Sequence, residues 1–364
     1  MSRRAPSDNR EVDPRVIGWM MRAVETMAGT QPHPNPRVGA VVLDPSGAEI
    51  SAAAHQGPGT PHAEVLALRA AGEAARGATV VTTLEPCSHH GLTPPCVDAL
   101  SEAQVARVIV GVVDPDERVA GSGIAALRAA GVEVVVGAAR AEVLAADPGY
   151  FHHRHTGRPR FRMKLAATLD GQVAAADGTS QWITSEEARR DAHQLRAEAD
   201  AIVVGAGTLR PDDPLLTVRV DDFTGNKPRP VVIAGKTPLP ASRRLYARNP
   251  LVFTPHAVAP VPGCETVVTG GADGEVDLTL AAKELAARGY LEILVDGGPT
   301  LAQAFASAGL ADHLTLYYGA KLAKGSALPM FPGPLAPLID ANGLEIVAVS
   351  KVGPDVRIDA RPQG

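Results

Sequence analysis

The sequence predicts an α/β protein built from two domains. The chain has 364 residues, and at roughly 150 residues per domain this length favours two compact units, each with its own core. Short Val-rich segments alternate along the chain with Ala-, Leu- and Arg-rich segments of helical periodicity. Strands that alternate with helices are typical of a sheet covered on both faces.

In the first half, residues 1–12 are expected to form a disordered tail. Apolar residues then recur at helical spacing, and the helix that follows Pro61 begins with a residue tolerated at helix starts. The predicted elements are a helix at Pro14–Ala28, a strand at 38–44, a helix at His62–Ala75, a strand at 79–85, and a strand, a helix and a strand in ARVIVGVV, GIAALRAA and VEVVVG.

The segment DPGYFHHRHTGRPR has no apolar periodicity and contains three histidines and three arginines. A second metal site at His152, His153 and His155 is one interpretation. A solvated connector is favoured, because no carboxylate or cysteine lies at ligand spacing. We therefore predict domains at 13–147 and 160–364, joined by a linker at 148–159.

The second half repeats the α/β pattern. Strands are predicted at 161–167, 201–205, 230–234, 251–254, 291–296 and 313–318, and helices at 185–198, 278–288 and 300–308. In VDGGPTLA two glycines separate a buried strand from a helix start, where free N–H groups suit a cofactor diphosphate, although a simple tight turn has the same pattern.

One motif in the first half carries specific chemistry. His62 and Glu64 stand in HAE, and Cys87 and Cys96 bound the segment PCSHHGLTPPC. One imidazole and two thiolates suit a catalytic zinc that keeps a position for water, with the glutamate moving protons as a non-ligand. His62 and Glu64 lie two residues apart, so they converge on a metal only at the N-terminal end of their helix.

This motif predicts a hydrolytic zinc deaminase, although eight residues separate the cysteines where the usual signature has two. A lone histidine or cysteine is more often structural, and Cys264, which has no partner in such a pattern, is interpreted in this way. The joint spacing of the four residues favours the metal site.

Composition excludes several other classes. The net charge is −5 and no basic run with interleaved aromatics occurs, so a nucleic-acid substrate is not expected. With two of the three cysteines assigned to metal, no disulfide is expected, which fits a reducing cytoplasm. The N-terminus lacks the apolar stretch of a secretory signal, and no segment is long enough to span a membrane.

The chain also resembles a known family, the bifunctional riboflavin-biosynthesis pyrimidine deaminase/reductases of the RibD/RibG type. The resemblance covers nearly the whole chain, and its motifs are HPNPRVGAVV, PHAEVLAL, TLEPCSHHGLTPPC, DGTSQWITSEEAR, DDPLLTVR and DGGPTLA. PCSHHG-x-TPPC is that family's own form of the zinc loop, which accounts for the long cysteine spacing.

The resemblance implies a cytidine-deaminase-like N-terminal domain and a C-terminal domain similar to dihydrofolate reductase. The first would deaminate 2,5-diamino-6-ribosylamino-4(3H)-pyrimidinone 5′-phosphate with one Zn²⁺. The second would use NADPH to reduce the ribosyl chain of 5-amino-6-(5-phosphoribosylamino)uracil to the ribitylamino product. A homo-oligomer acting on small phosphorylated pyrimidines is expected.

The resemblance also implies site residues. Those implied for the deaminase substrate are Asn35, His89 and Asp114. Those implied for the reductase substrate are Lys164, Ser180, Arg196, Leu216, Arg219 and Asp296. Those implied for NADPH are Ala166, Trp182, Thr208, Asp212, Gly298, Pro299, Thr300 and Leu301, with Lys236 as a candidate partner for the 2′-phosphate.

Three positions depart from the family pattern. Leu92 stands where the family commonly has a Lys or Arg that helps neutralise the substrate phosphate, so another basic residue must act there or phosphate affinity falls. Asp116 and Glu117 replace a frequent Asn-Pro, which favours Asp114 over Asp116 for a ribose contact. Asp296 replaces a common Glu, which keeps the carboxylate but shortens its reach.

Two other functions remain open from the residues. A nucleoside or nucleobase deaminase could carry a degenerate reductase-like domain used for assembly, and turnover of cytidine would favour it. A regulatory pyrimidine-binding protein with structural zinc would need four filled ligand positions, and the motif offers three.

Overall fold

The structure is a computed structural model that describes residues 13–175, 181–236, 238–258, 261–271, 273–324, 328–332 and 343–363. The chain divides into two compact units, Met1–His155 and Thr156–Gly364. Both units are α/β, as the alternation of patterns predicted. Among the helices in these residue ranges, none is long and apolar enough to cross a membrane.

A five-stranded sheet in the order β2-β1-β3-β4-β5 forms the centre of the N-terminal unit. Its strands are β1 (Gly39–Leu43), β2 (Glu49–Ala54), β3 (Thr79–Leu84), β4 (Arg107–Val112) and β5 (Glu133–Val136). β1 runs antiparallel to β2 and β3, whereas β3, β4 and β5 are parallel. β1, β3 and β4 are buried along nearly their whole length, as expected for strands covered on both faces.

The helices of this unit are α1 (Pro14–Thr26), α2 (Ala63–Ala71), α3 (Cys96–Glu102), α4 (Ser122–Ala129), α5 (Arg140–Ala146) and α6 (Pro148–Thr156). The first helix begins where the sequence predicted, with the Asp13 side chain accepting from the Arg15 N–H. The second helix is shorter than predicted, because Gly72 takes a positive φ of 57° and a 3₁₀ turn (Gly72–Ala75) follows.

The segment predicted as a solvated connector contains α6, so that expectation is wrong for residues 148–156. Tyr150 and Phe151 are 1% and 9% exposed, and they anchor the helix in the N-terminal unit. Asp147, just before the helix, contacts the His33 ring at 2.9 Å and accepts from the Arg37 N–H at 2.7 Å. Two adjacent aromatics among histidines and arginines give no 3.6-residue period, which is why the pattern was not visible.

The C-terminal unit contains a nine-stranded sheet in the order β11-β10-β9-β8-β12-β6-β13-β16-β15, with β7 and β14 paired separately. The strands are β6 (Arg160–Thr168), β7 (Gln172–Ala174), β8 (Ala201–Gly205), β9 (Arg229–Ile233), β10 (Leu251–Thr254), β11 (Glu265–Val268), β12 (Glu292–Val295), β13 (His313–Gly319), β14 (Leu328–Pro329), β15 (Leu344–Val352) and β16 (Asp355–Pro362). In this sheet order, the seven strands from β11 through β13 are parallel to their neighbours, whereas β16 and β15 pair in antiparallel fashion at one edge.

The helices that the structure describes in this unit are α7 (Glu186–Glu198), α8 (Ala206–Asp212), α9 (Leu278–Ala287) and α10 (Pro299–Ser307). The six predicted strands and three predicted helices of this half are confirmed within two residues. α8 follows β8 directly and α10 follows β12, so the carboxyl ends of these adjacent parallel strands lie together. Ligands of open α/β sheets bind at such strand ends.

Candidate active sites

Three potential metal ligands converge in the N-terminal unit. The ligand atoms of His62, Cys87 and Cys96 all lie within 4.8 Å of one another, the only such cluster found over the described residues. Nδ1 of His62 is 3.1 Å from Sγ of Cys96 and 3.4 Å from Sγ of Cys87. Ligands of one tetrahedral zinc lie roughly 3.5 Å apart, given Zn–N and Zn–S bonds of about 2.0 and 2.3 Å. The donor set therefore fits Zn²⁺ with an open position.

The elements place these residues as their spacing predicted. His62 is the N-cap of α2 and Cys96 begins α3. Glu64 lies in the first turn of α2 and is 3% exposed, and burial raises the pKa of its carboxyl group. A hydrogen bond with Cys96 lowers the pKa of the Cys87 thiol, which favours a thiolate ligand. A glutamate with a raised pKa beside the ligands suits proton transfer.

Thr93 and His55, which sequence reasoning did not identify, orient residues around the metal ligands through three hydrogen bonds. Thr93 Oγ1 lies 3.3 Å from Nε2 of His62, the ring nitrogen that faces away from the sulfur atoms. Nε2 of His55 lies 2.9 Å from the side-chain nitrogen of Asn35, and its Nδ1 lies 3.3 Å from the Pro61 carbonyl. Burial lowers the pKa of His55, so its neutral ring donates to Pro61 and accepts from Asn35.

A cavity of about 280 Å³ opens beside the metal ligands, and it is lined by Asn35, His89 and Asp114, the three residues predicted for the deaminase substrate. Asp114 accepts a hydrogen bond of 2.9 Å from the Tyr150 hydroxyl, and burial raises the pKa of its carboxyl group. The buried Glu85 carboxylate accepts hydrogen bonds from four backbone N–H groups, one of which is that of Asp114. These bonds fix the loop after β4.

Leu92, at the position where a basic residue was expected, lines this cavity with 82% of its surface exposed. Arg118 and Arg154 line the cavity as well, and neither was identified from the sequence. Nε and Nη2 of Arg118 donate to Asp116 at 2.9 and 2.7 Å, and these hydrogen bonds hold the pKa of Asp116 below its usual range.

The C-terminal unit contains a larger cavity, of about 650 Å³. Nine of the residues predicted for the reductase line it, namely Lys164, Ala166, Trp182, Arg196, Thr208, Asp212, Leu216, Arg219 and Asp296. They come from β6, the segment that precedes α7, α7 itself, α8, the loop after α8 and the residue that follows β12. The structure thus brings predicted substrate and cofactor residues to one place.

An ion-pair cluster forms one wall of this cavity. Asp296 Oδ2 accepts from Nη2 and Nε of Arg196 at 2.6 and 3.1 Å, and its Oδ1 accepts from Nζ of Lys164 at 3.4 Å. Burial opposes ionisation, but the two cations outweigh it and hold the pKa of Asp296 below its usual range. Because Arg196 also donates to the Thr217 carbonyl at 3.2 Å, its guanidinium is largely committed to protein groups.

Arg219 is held by a buried histidine that the sequence did not indicate. Nε of Arg219 donates to Nε2 of His193 at 3.0 Å. Burial and the charges of Arg196 and Arg219 lower the pKa of His193 to about 4, so the ring is neutral and accepts this bond. On the same wall, the Arg189 guanidinium lies 4.3 Å from the centre of the Trp182 ring.

The remaining predicted cofactor residues lie beside this cavity. Gly298 is the N-cap of α10 and Pro299 its first residue, and a Cβ built on Gly298 would lie 3.9 Å from Thr208 Oγ1. Thr300 follows in the first turn of the helix, whereas the side chain of Leu301 packs in the hydrophobic core. A cofactor can therefore meet Leu301 only through its backbone. Ser180 lies outside the described residues.

Lys236, the candidate partner for the 2′-phosphate, lies outside both cavities, and so does Asp170 in the turn after β6. Lys236 pairs with Glu275 at 3.2 Å and lines a separate apolar cavity of about 430 Å³. Asp170 accepts from Thr168 Oγ1 and from the N–H groups of Ala323 and Lys324, so it stabilises a turn.

Cys264 is half-buried against the hydrophobic core of the C-terminal unit. His152, His153 and His155 form no metal cluster in this part of the described chain.

Comparisons with known proteins agree with this division. Residues 15–112 match the cytidine and deoxycytidylate deaminase zinc-binding region, and residues 159–357 match the RibD C-terminal domain. The riboflavin biosynthesis protein RibD of Escherichia coli K12 is 40% identical over 344 residues, which cover 89% of this chain and 92% of that protein. The chain belongs to the RibD family.

The RibD of Mycobacterium tuberculosis H37Rv is also 40% identical, over 89% of this chain and 90% of its own length. Among solved structures, RibD of Acinetobacter baumannii superimposes with a TM-score of 0.87 at 32% identity, covering 96% of this chain and 99% of that one. A Thermotoga maritima protein described as a diaminohydroxyphosphoribosylaminopyrimidine deaminase/5-amino-6-(5-phosphoribosylamino)uracil reductase has the same TM-score, identity and coverage.

Membership of the family establishes the broad activity. The chain is a bifunctional enzyme of riboflavin biosynthesis, with a zinc-binding deaminase domain of cytidine-deaminase type and a C-terminal reductase domain. The expected fold classes of the two domains are thereby confirmed.

Proposed function

We propose that the N-terminal unit deaminates 2,5-diamino-6-ribosylamino-4(3H)-pyrimidinone 5′-phosphate. The C-terminal unit then uses NADPH to reduce the ribosyl chain of 5-amino-6-(5-phosphoribosylamino)uracil. The observation that carries this proposal is the position of two of the three candidate metal ligands, His62 and Cys87, at the wall of a cavity that Asn35 also lines. The activities in the description of the Thermotoga maritima relative supply the substrates.

The deaminase residues have distinct roles. Zn²⁺, when bound, acidifies water at neutral pH. Glu64, buried and with a raised pKa, accepts a proton and delivers it to the departing amino group. Asn35 donates its amide N–H to His55, which leaves its carbonyl oxygen to accept from the N–H groups of the pyrimidine. Asp114, held by Tyr150, is placed to accept from a ribose hydroxyl.

The reductase residues orient substrate and cofactor. NADPH supplies a hydride, and the protein contributes position and electrostatics. The N-terminus of α10, with Gly298 beside Thr208, offers free N–H groups to the cofactor diphosphate. Lys164 and Asp296 present a cation and a carboxylate to the sugar chain, and Arg219 offers a guanidinium to the phosphate.

We further propose that the protein works in the cytoplasm as a homo-oligomer on small phosphorylated pyrimidines, with a deaminase domain that begins at residue 13 and includes α6, and a reductase domain at 160–364. The three free cysteines are compatible with a reducing compartment. The two family matches, at 15–112 and 159–357, support the division into two domains.

The deaminase assignment is tested by Glu64→Gln, which keeps the size of the side chain and removes its proton-accepting oxygen. The zinc-loaded variant should release no ammonia from the diaminopyrimidinone phosphate, while it still oxidises NADPH with the deaminated substrate. Glu73→Gln, at an exposed glutamate close in sequence, is the matched control and should retain both activities. Ammonia release by the Glu64 variant at the control rate would refute the role of Glu64. Efficient turnover of cytidine by the wild-type chain would instead favour a general nucleoside deaminase.

A further inference from the structure

We propose that Arg154, assisted by Arg118, binds the 5′-phosphate of the substrate in the deaminase cavity. The proposal rests on the function proposed above, because it assumes a phosphorylated pyrimidine. The loop between the zinc-ligand cysteines, residues 88–95, has the sequence SHHGLTPP and contains no lysine or arginine. Any permanent positive charge at this cavity must therefore come from other elements.

The two arginines reach the cavity from different parts of the N-terminal unit. Arg118 lies in the loop after β4, and Arg154 lies on α6. They are the only lysine or arginine side chains among the described residues that line this cavity. Both therefore share its wall with the metal ligands and with Leu92, which provides no charge.

Arg154 has capacity for a ligand. Its Nε is buried and has no hydrogen-bond partner in the described structure. Its guanidinium lies 5.0 Å from the centre of the Tyr150 ring, which holds the planar group on an aromatic face. Nδ1 of His89, another lining residue, is likewise buried without a partner. A phosphate oxygen would satisfy such donors, and the planar fork of arginine suits a bidentate contact.

The local charges also favour an anion. Arg118 makes two hydrogen bonds to Asp116, and Nη2 of Arg154 lies 3.6 Å from the same carboxylate. Asp116 is thus shared by two guanidinium groups, so this part of the wall has one more cation than carboxylate, while Asp114 adds a second carboxylate that is hydrogen-bonded to Tyr150. The Arg154 side chain is 27% exposed whereas that of Arg118 is 68% exposed. Because solvent screens Arg154 less, it should contribute more to binding.

The test compares two substrates, the phosphorylated pyrimidine and its dephosphorylated ribosyl form, by initial rates of ammonia release. Arg154→Gln should lower kcat/KM for the phosphorylated substrate about tenfold or more, mainly through KM, since charge-assisted hydrogen bonds have roughly this effect. The kcat/KM of the variant for the dephosphorylated substrate should stay within about twofold of the wild-type value, a smaller change than the loss of one neutral hydrogen bond would cause. Arg76→Gln, at an exposed arginine outside the cavity, is the matched control.

A rescue variant separates binding from folding. Adding Leu92→Lys to Arg154→Gln should restore at least part of the preference for the phosphorylated substrate, because it returns a cation to the same cavity. Equal losses on both substrates, or an unchanged preference in Arg154→Gln, would overturn the proposal. If the wild-type chain released ammonia from neither substrate, the proposed function itself would fail and this inference with it. Turnover by the wild type without preference for the phosphate would refute the inference alone.

Discussion

Replacing Asp296 by Asn probes the ion-pair cluster of the reductase cavity. Asp296 is the shared acceptor of Arg196 and Lys164, and the side chains of the three residues are 12%, 18% and 20% exposed, respectively. The substitution keeps the shape of the side chain but removes its charge. Two cations then face each other with no counter-charge, and each has little contact with solvent that could screen it.

Removal of one partner from a buried ion pair costs about 3–5 kcal/mol. The cavity admits water to one side of the cluster, so we expect Asp296→Asn to lower the free energy of unfolding by about 2–3 kcal/mol. At about 2–4 °C per kcal/mol for a unit of this size, the melting temperature of the C-terminal unit should fall by roughly 5–10 °C.

Differential scanning calorimetry measures this shift, and the transition of the N-terminal unit provides an internal reference. Glu345→Gln removes the carboxylate of an exposed pair with Arg361 and should move the transition much less. Asp296 contributes stability above its ordinary pKa of 3.8, and this contribution is lost as acidification passes through its lowered folded pKa. Equal shifts in the two variants at pH 7 would refute the argument.

Two further predictions follow from the hydrogen bonds around the sites. Thr93→Val should weaken zinc affinity about 10–100-fold, because it removes the acceptor for Nε2–H of His62. Thr93→Ser keeps the acceptor and should bind zinc as wild type does. Competition with a zinc chelator measures both affinities, and equal affinity of the wild type and the two variants would contradict the role of Thr93 in orienting His62. The pKa of His193 is lowered from 6.5 to about 4 in the folded chain, so between these pH values the unfolded chain binds a proton that the folded chain does not. The free energy of unfolding should therefore rise as the pH increases from 4 to 6.5. His193→Asn should reduce that rise in urea titrations of the C-terminal unit, and an unchanged pH dependence would refute the assignment.

The zinc cluster was predictable because its geometry is local. His62 and Glu64 lie two residues apart at a helix start, and the cysteines bound a single loop, so two short motifs defined the site. The buried parallel strands were predictable for a similar reason, since continuous Val-rich segments occur where both faces of a sheet are covered.

The residues that support the sites were not predictable, because long-range packing selects them. Arg154 reaches the deaminase cavity only because Tyr150 and Phe151 anchor α6, a helix whose histidines and arginines hide its apolar face. His193 is one of many polar residues on α7 until the fold places it beside Arg219.

The edge strand β15 was missed because it is exposed almost throughout. Such a strand lacks the alternation of apolar and polar residues by which a half-buried strand is recognised.

We propose that one chain deaminates and then reduces the same pyrimidine. The most direct measurement is NADPH consumption by the purified, zinc-loaded chain supplied only with the diaminopyrimidinone phosphate, with wild type and Glu64→Gln compared side by side. We expect steady NADPH oxidation and a ribitylamino product with wild type, and neither with the variant until the deaminated substrate is added. NADPH oxidation by the variant at the wild-type rate from the diamino substrate, or none by wild type, would contradict it.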